Sequence, residues 1–163
     1  MRRGRAVVVG VALAGCQGGL DAPRAPVALD RPYFDCRVQP VLTKYCAALA
    51  CHGDADRFFT VFARNRLRLD GDEAQRNGFL GLDERDVNFA AAAALVDPED
   101  VDASPLVRKP LAQAAGGAFH VGATRFGGAD VFADTTDPDY QILSQWLHGA
   151  TEVATCQEPG SNL

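Results

Sequence analysis

The chain has 163 residues, of which 47% are hydrophobic and 23% charged, a composition that suits one globular domain and excludes a disordered chain or a multi-span membrane protein. Its 16 basic and 21 acidic residues give a formal net charge of −5. Because an acidic body does not suit a phosphate backbone, nucleic acid is not an expected partner.

The beginning of the chain predicts an export signal. Three arginines within the first five residues precede an apolar run, Ala6–Ala14, that is too short for a permanent membrane helix. The run ends in Leu-Ala-Gly and is followed by Cys16. This pattern is similar to a bacterial lipoprotein signal, which implies removal of residues 1–15 and lipidation of Cys16. Gln17 at the next position implies the outer membrane, on its periplasmic side or at the cell surface, with this anchor as the expected membrane contact.

The rest of the chain predicts a mainly α domain with long loops. Residues 16–32 contain three prolines and few large apolar residues, as expected of a lipid anchor and tether. Asp or Ser followed by Pro marks several helix starts, and apolar residues then repeat at helical spacing. Helices are expected from Asp30 through Tyr45 with a kink or restart at Pro40, from the cap Asp86 to Val96, from Ser104, and from Asp137 to Gly149. A short extended segment is expected within 58–69.

The segment from Cys46 to His52 carries the most informative chemistry. In the usual c-type haem signature, Cys-x-x-Cys-His, two thiols bond to the porphyrin and the adjacent histidine ligates the iron. Here four residues separate Cys46 from Cys51, and an Ala-rich loop of that length can bulge outward. The motif therefore predicts one covalent haem c (iron), with Cys46 and Cys51 as thioether residues and His52 as the proximal iron ligand.

This motif and its surroundings resemble a cytochrome c-like domain found in bacterial lipoproteins and larger exported proteins. The matching segments are Val38–Leu42, Cys46–Gly53, Phe59–Phe62, Ser104–Lys109, Gly116–Gly122 with Phe126, and Asp139–Trp146. The resemblance covers about residues 33–150. It implies a cytochrome c-like helical domain over 33–157, a tail over 158–163, and an electron-transfer role with a redox partner protein.

The sixth iron ligand is expected to be a histidine. The only methionine is Met1, which leaves with the leader. His120 lies in a glycine-rich loop, where the backbone can approach a ring closely, and is the candidate. His148 follows a helix end, where a surface histidine is common. Lys44, Lys109 or a backbone amine stay open as alternatives.

The remaining cysteines, Cys36 and Cys156, are a candidate disulfide in an oxidising compartment. The same count fits two disulfides and no haem, so the alternative function is a haemless, disulfide-stapled surface lipoprotein with a binding or scaffold role. A third possibility is a zinc site made of Cys46, Cys51, His52 and His120. No distal acid–base pair is visible, so an electron carrier is expected rather than an enzyme.

Two further groups of residues carry predictions about the haem environment and the surface. An apolar haem pocket is expected from Phe34, Leu42, Phe119, Phe126 and Trp146. An alternating basic stripe of Arg64, Arg66 and Arg68 is typical of a solvated face, with haem propionates or a redox partner as alternative contacts.

Overall fold

Helices make up the regular secondary structure in this computed structural model, which describes residues 27–71, 76–121, 130–154 and 156. The expected leader, the lipidation residue Cys16, most of the tether, Phe126 and the tail 158–163 lie outside these ranges. In the described ranges there is no β-strand, and an isolated parallel bridge joins Leu111 to Phe132. The predicted mainly α class is confirmed. Over the same residues, no helix has the length and apolar character needed to cross a membrane.

The first helix, α1, is a continuous helical run that alternates between two hydrogen-bonding registers. Its α-helical pieces are Arg31–Tyr33 and Gln39–Val41, and its π-helical pieces are Phe34–Val38 and Leu42–Cys46. Asp30 caps the start, because its Oδ1 accepts the N–H of Tyr33 at 2.6 Å. Pro40 lies in the second α-helical piece, two residues after the first π-helical piece ends, and all these residues keep helical backbone angles. The chain therefore passes through Pro40 without a restart.

The second helix, α2, is Leu82–Ala93, and it begins before Asp86, the predicted N-cap. Gly81 is the N-cap, and its N–H donates to Oε2 of Glu84 at 2.9 Å. Glu84 therefore satisfies the first turn, as in a capping box. Asp86 lies inside the helix and pairs with Arg31. The prediction was wrong about this start because an Asp can cap a helix only where the preceding chain is extended.

The segment 58–69 consists of turns and irregular backbone, so the predicted extended segment is wrong. Its backbone groups bond to partners outside any strand ladder. The N–H of Val61 donates to the carbonyl of His52 at 2.7 Å. The N–H of Phe62 donates to Oδ1 of Asn88 at 2.8 Å. These two N–H groups are therefore not available to pair with a neighbouring strand.

The last two helices begin where the sequence predicted. Helix α3 is Pro105–Arg108 and helix α4 is Pro138–Leu147, with short 3₁₀ turns at Val101–Ala103 and Gln113–Ala115. Ser104 and Asp137 are the respective N-caps. Oδ1 of Asp137 accepts the N–H groups of Asp139 and Tyr140 at 2.8 and 3.2 Å, which satisfies the first turn of α4.

An aromatic core joins α1, α2 and α4. The ring of Phe34 lies 5.2 Å from that of Phe89 and 5.3 Å from that of Trp146. Trp146 is fully buried, and its Nε1–H donates to the carbonyl of Asp30 at 2.9 Å. Helices α1 and α4 therefore pack together. Asp30–Pro32, which the sequence analysis assigned to the tether, belong to the folded domain.

A disulfide between Cys36 and Cys156 connects α1 to the chain beyond α4, across a sequence separation of 120 residues. Arg37 pairs with Glu152 at 3.1 Å beside it. The N–H of Glu152 also donates to Oδ1 of Asp30 at 3.2 Å. These contacts close one end of the domain by joining its first helix to its last described segment.

Candidate cofactor site

An apolar cavity of about 710 Å³ lies between the end of α1, α3 and the segment that carries His120. Large apolar side chains supply most of its wall, among them Leu42, Tyr45, Phe59, Leu106, Phe132 and Leu143. Volumes of this order and walls of this kind are typical of small-molecule and cofactor sites. Arg57, Lys109 and Asp130 are the residues of formal charge in the wall.

The loop between the two motif cysteines exposes its residue Leu49, while Ala48 and Ala50 on either side line the cavity. The N–H of His52 donates to the carbonyl of Cys46 at 3.0 Å, and the N–H of Cys51 donates to that of Ala48 at 2.8 Å. Leu49, in the middle of the loop, is 75% exposed. Cys46 and Cys51 are free thiols, and both line the cavity. The four-residue spacer thus keeps both sulfur-bearing residues in one wall.

Gly53 makes the turn after His52 possible. A Cβ at this position would lie 2.1 Å from the carbonyl oxygen of Ala47, closer than any side chain can approach. The N–H of Gly53 donates to the carbonyl of Ala48 at 3.0 Å. Only glycine therefore allows the chain to fold back on itself directly after His52.

The imidazole of His52 is oriented for ligation. Its Nδ1 lies 2.9 Å from the carbonyl oxygen of Phe59. A carbonyl can only accept a hydrogen bond, so Nδ1 carries the proton and Nε2 keeps its lone pair. Burial lowers the pKa of His52, outweighing the opposite effect of the Phe59 carbonyl. The ring is therefore held in the neutral form that a metal ion requires.

His120 lies opposite His52. The two ring centroids are 6.0 Å apart and the ring planes differ by 6°. Nδ1 of His120 is buried and has no hydrogen-bond partner in the described part of the chain. An atom without accessible surface does not face an open cavity, so Nε2 is the nitrogen left for a ligand. Burial, and then the charge of Lys109, lower the pKa of His120 and favour its neutral form.

The spacing of the two rings suits two ligands of one metal ion. A bond between a metal ion and an imidazole nitrogen is about 2 Å long. With the ring centroids 6.0 Å apart, a metal ion held by both imidazoles would fit between the two residues. His52, His120 and the two thiols could therefore hold a planar, metal-containing cofactor.

Of the other candidate sixth ligands, Lys109 lines the cavity, whereas His148 and Lys44 do not. His148 is exposed at the end of α4, and its Nε2 lies 2.9 Å from Oδ1 of Asp102. Lys44 pairs with Asp139 at 2.8 Å. Neither residue lines the cavity, whereas Lys109 does, with its Nζ donating to the carbonyl of Phe119 at 3.0 Å.

The expected apolar pocket is only partly the observed one. Leu42 and Phe119 line the cavity, whereas Phe34 and Trp146 belong to the aromatic core, where they pack on α2. The wall includes further residues that the sequence analysis did not single out, chiefly Tyr45, Phe59 and Phe132. Tyr45 could have been found from its position directly before the first motif cysteine. Phe132 could not, because it reaches the wall through its bridge to Leu111.

One member of the basic stripe, Arg68, does not lie on the solvated face that was predicted. The side chain of Arg68 is 8% exposed and pairs with Glu84 at 2.8 Å. It also donates to the carbonyls of Gly78 and Phe79, both at 3.1 Å. None of the three stripe arginines lines the cavity, so the propionate alternative finds no support either.

In the ranges that the structure covers, no group of three or more His, Cys, Asp or Glu side chains is placed to hold a metal ion. The zinc alternative requires such a group, and the structure does not assemble one. A haem iron takes at most two axial ligands from the protein, so this observation does not bear on it. The haemless alternative requires a disulfide between Cys46 and Cys51. In the structure both are free thiols.

Comparison of the chain with protein-family models, with curated proteins and with solved structures gives no match. The features of the molecule that bear on function are therefore the cavity, its two thiols and its two facing imidazoles.

Proposed function

We propose that this protein is a c-type haem-binding electron carrier with a cytochrome c-like fold. One haem would be bound covalently through Cys46 and Cys51 and ligated by His52 and His120. The observation that carries the proposal is the pair of parallel imidazoles, 6.0 Å apart, in an apolar cavity whose wall contains two free thiols.

Each part of the site has a role in this proposal. Bound haem would supply one-electron chemistry at its iron. The hydrogen bond from Nδ1 of His52 to the Phe59 carbonyl fixes the ring and raises the basicity of Nε2. The apolar wall limits water, which together with the ligands adjusts the reduction potential. Arg57 and Lys109 in the same wall suit the carboxylates that haem carries.

Cys46 carries a protonated thiol in this site. Burial, with a smaller effect of Cys51, raises the pKa of Cys46 to about 12. Haem attachment would add such a thiol across a vinyl group of the porphyrin, so a protonated Cys46 is consistent with the proposal.

The setting of the domain is part of the same proposal. The lipoprotein-like leader supports export and an anchor at Cys16 in the outer membrane, facing the periplasm or the exterior. A lipid anchor would hold the domain near the membrane while a redox partner protein exchanges electrons with it. In this proposal the protein is an electron carrier rather than an enzyme.

Expression together with c-type haem maturation machinery tests the proposal. The wild-type protein should keep its haem mass and Soret absorbance after denaturation and acid–acetone extraction. The His52→Ala variant should fail to mature or carry haem without proximal ligation. The matched control, His148→Ala, should mature like the wild type. Complete release of haem from the wild type, or a disulfide between Cys46 and Cys51 in peptide maps, would overturn the proposal.

A further inference from the structure

The two cavity histidines are supported very differently. His52 is held on three sides: its ring by the Phe59 carbonyl, its N–H by the Cys46 carbonyl and its own carbonyl by the N–H of Val61. The ring of His120 has no such contact, since its Nδ1 is buried without a partner among the described residues. At the preceding residue, Phe119, the carbonyl accepts from Nζ of Lys109 at 3.0 Å.

This asymmetry has a consequence for ligation. A metal-ligating histidine normally donates its second ring N–H to an acceptor, and removal of that acceptor typically costs 10–100-fold in affinity. The neighbours of His120 are also open to solvent, since Phe119 is 58% and Val121 is 54% exposed. The side chains on either side of His120 therefore do not anchor it in the buried core.

We infer that His120 is an exchangeable ligand and that a small uncharged molecule, such as a diatomic gas, can take its place. The inference rests on the proposed haem function. In the exchange, the bond from iron to Nε2 of His120 breaks and a bond from iron to the incoming molecule forms, while His52 stays bound and no electron is transferred. An uncharged molecule is favoured because the wall around the site is apolar.

The size of the effect follows from the population in which His120 is detached. Minor conformations of proteins are commonly populated at about 0.1–10%. The apparent affinity for a competing ligand equals its intrinsic affinity multiplied by that fraction. The His120→Ala variant should therefore bind the ligand about 10–1,000-fold more tightly than the wild type.

Carbon monoxide binding to the dithionite-reduced holoprotein, followed by Soret absorbance and flash photolysis, tests the inference. The wild type should form a complex at an association rate that levels off as carbon monoxide increases, because detachment of His120 becomes limiting. In His120→Ala the rate should rise linearly with concentration. The control His148→Ala should behave like the wild type. Lys109→Met, which removes the contact to the Phe119 carbonyl, should raise the plateau rate several-fold.

Three outcomes overturn the inference. If the wild type forms no complex at concentrations that saturate His120→Ala, His120 is a fixed ligand. If wild type and variant bind alike with linear kinetics, His120 is not a ligand at all. If acid–acetone extraction has already removed the haem from the wild type, the proposed function fails first and is recognised before any gas is added. If His120→Ala fails to mature, the wild type alone still tests the inference. An association rate for carbon monoxide that levels off supports it, and a rate that rises linearly contradicts it.

Discussion

Replacement of Asn88 by alanine is expected to destabilise the domain strongly, because this side chain joins three separate parts of the chain. Asn88 lies on α2 and is fully buried. Its Nδ2 donates to Oε1 of Gln39 on α1 at 2.9 Å and to the carbonyl of Phe62 at 2.8 Å. Its Oδ1 accepts the N–H of Phe62 at 2.8 Å. The side-chain amide of Asn88 therefore bonds to both backbone groups of Phe62. The segment that contains Phe62 also makes the hydrogen bonds that fix His52.

The magnitude follows from the groups that the substitution leaves without partners. The deletion strands Oε1 of Gln39 and both backbone groups of Phe62, and each buried, unsatisfied group costs about 1–3 kcal/mol. Water that enters the vacated space recovers part of the sum. We expect a loss of about 3–5 kcal/mol, a large share of the roughly 5–15 kcal/mol by which a domain is stable.

Urea unfolding of the purified holoprotein, followed by far-UV circular dichroism, measures this loss. Asn88→Ala should lower the unfolding midpoint with little change in slope. Asn77→Ala is the matched control, because it deletes the same group from an exposed residue and should change stability by less than about 0.5 kcal/mol. A loss below about 1 kcal/mol for Asn88→Ala would refute the reasoning, since it would mean that the stranded groups find other partners.

Three further predictions concern the disulfide, the turn after His52 and the buried ion pair. The Cys36→Ser variant should lose up to about 4–5 kcal/mol of unfolding free energy, the chain-entropy value for so long a loop, and non-reducing peptide maps of the wild type should join Cys36 to Cys156. Gly53→Ala should abolish haem incorporation, because its Cβ would lie 2.1 Å from a backbone oxygen; normal haem content would contradict the described turn. Arg68→Met should cost about 3–5 kcal/mol by leaving Glu84 buried without its counter-charge, measured by urea unfolding at pH 7. Burial alone would raise the pKa of Glu84, but hydrogen bonds from Arg68 and two backbone amides lower it below its ordinary value of 4.5, so its stabilising effect is present above that pH and is lost as the pH falls. Urea unfolding between pH 3 and 7 should show a smaller acid-side loss in Arg68→Met than in the wild type.

Local sequence rules were sufficient where the deciding contacts lie within one turn of the chain. Ser104 and Asp137, each followed by proline, predicted the starts of α3 and α4 correctly, because a cap and its first turn are neighbours in sequence. The mainly α class followed from the same helix signals and apolar spacing. The motif from Cys46 to His52 also named two cavity thiols and one imidazole from adjacent positions.

The tertiary structure decided what depends on partners far apart in the chain. His120 could be named as a candidate, but its position opposite His52, 6.0 Å away, results from the packing of two loops across the cavity. Helix α2 begins before the predicted cap, Asp86. The carboxylate of Glu84 accepts the N–H of the actual N-cap, Gly81, and also pairs with Arg68. Periodicity favoured an extended segment at 58–69, yet Asn88 occupies the backbone groups that a strand would need. Such contacts are absent from any short window of sequence, since burial and the satisfaction of buried polar groups arise only when distant segments meet.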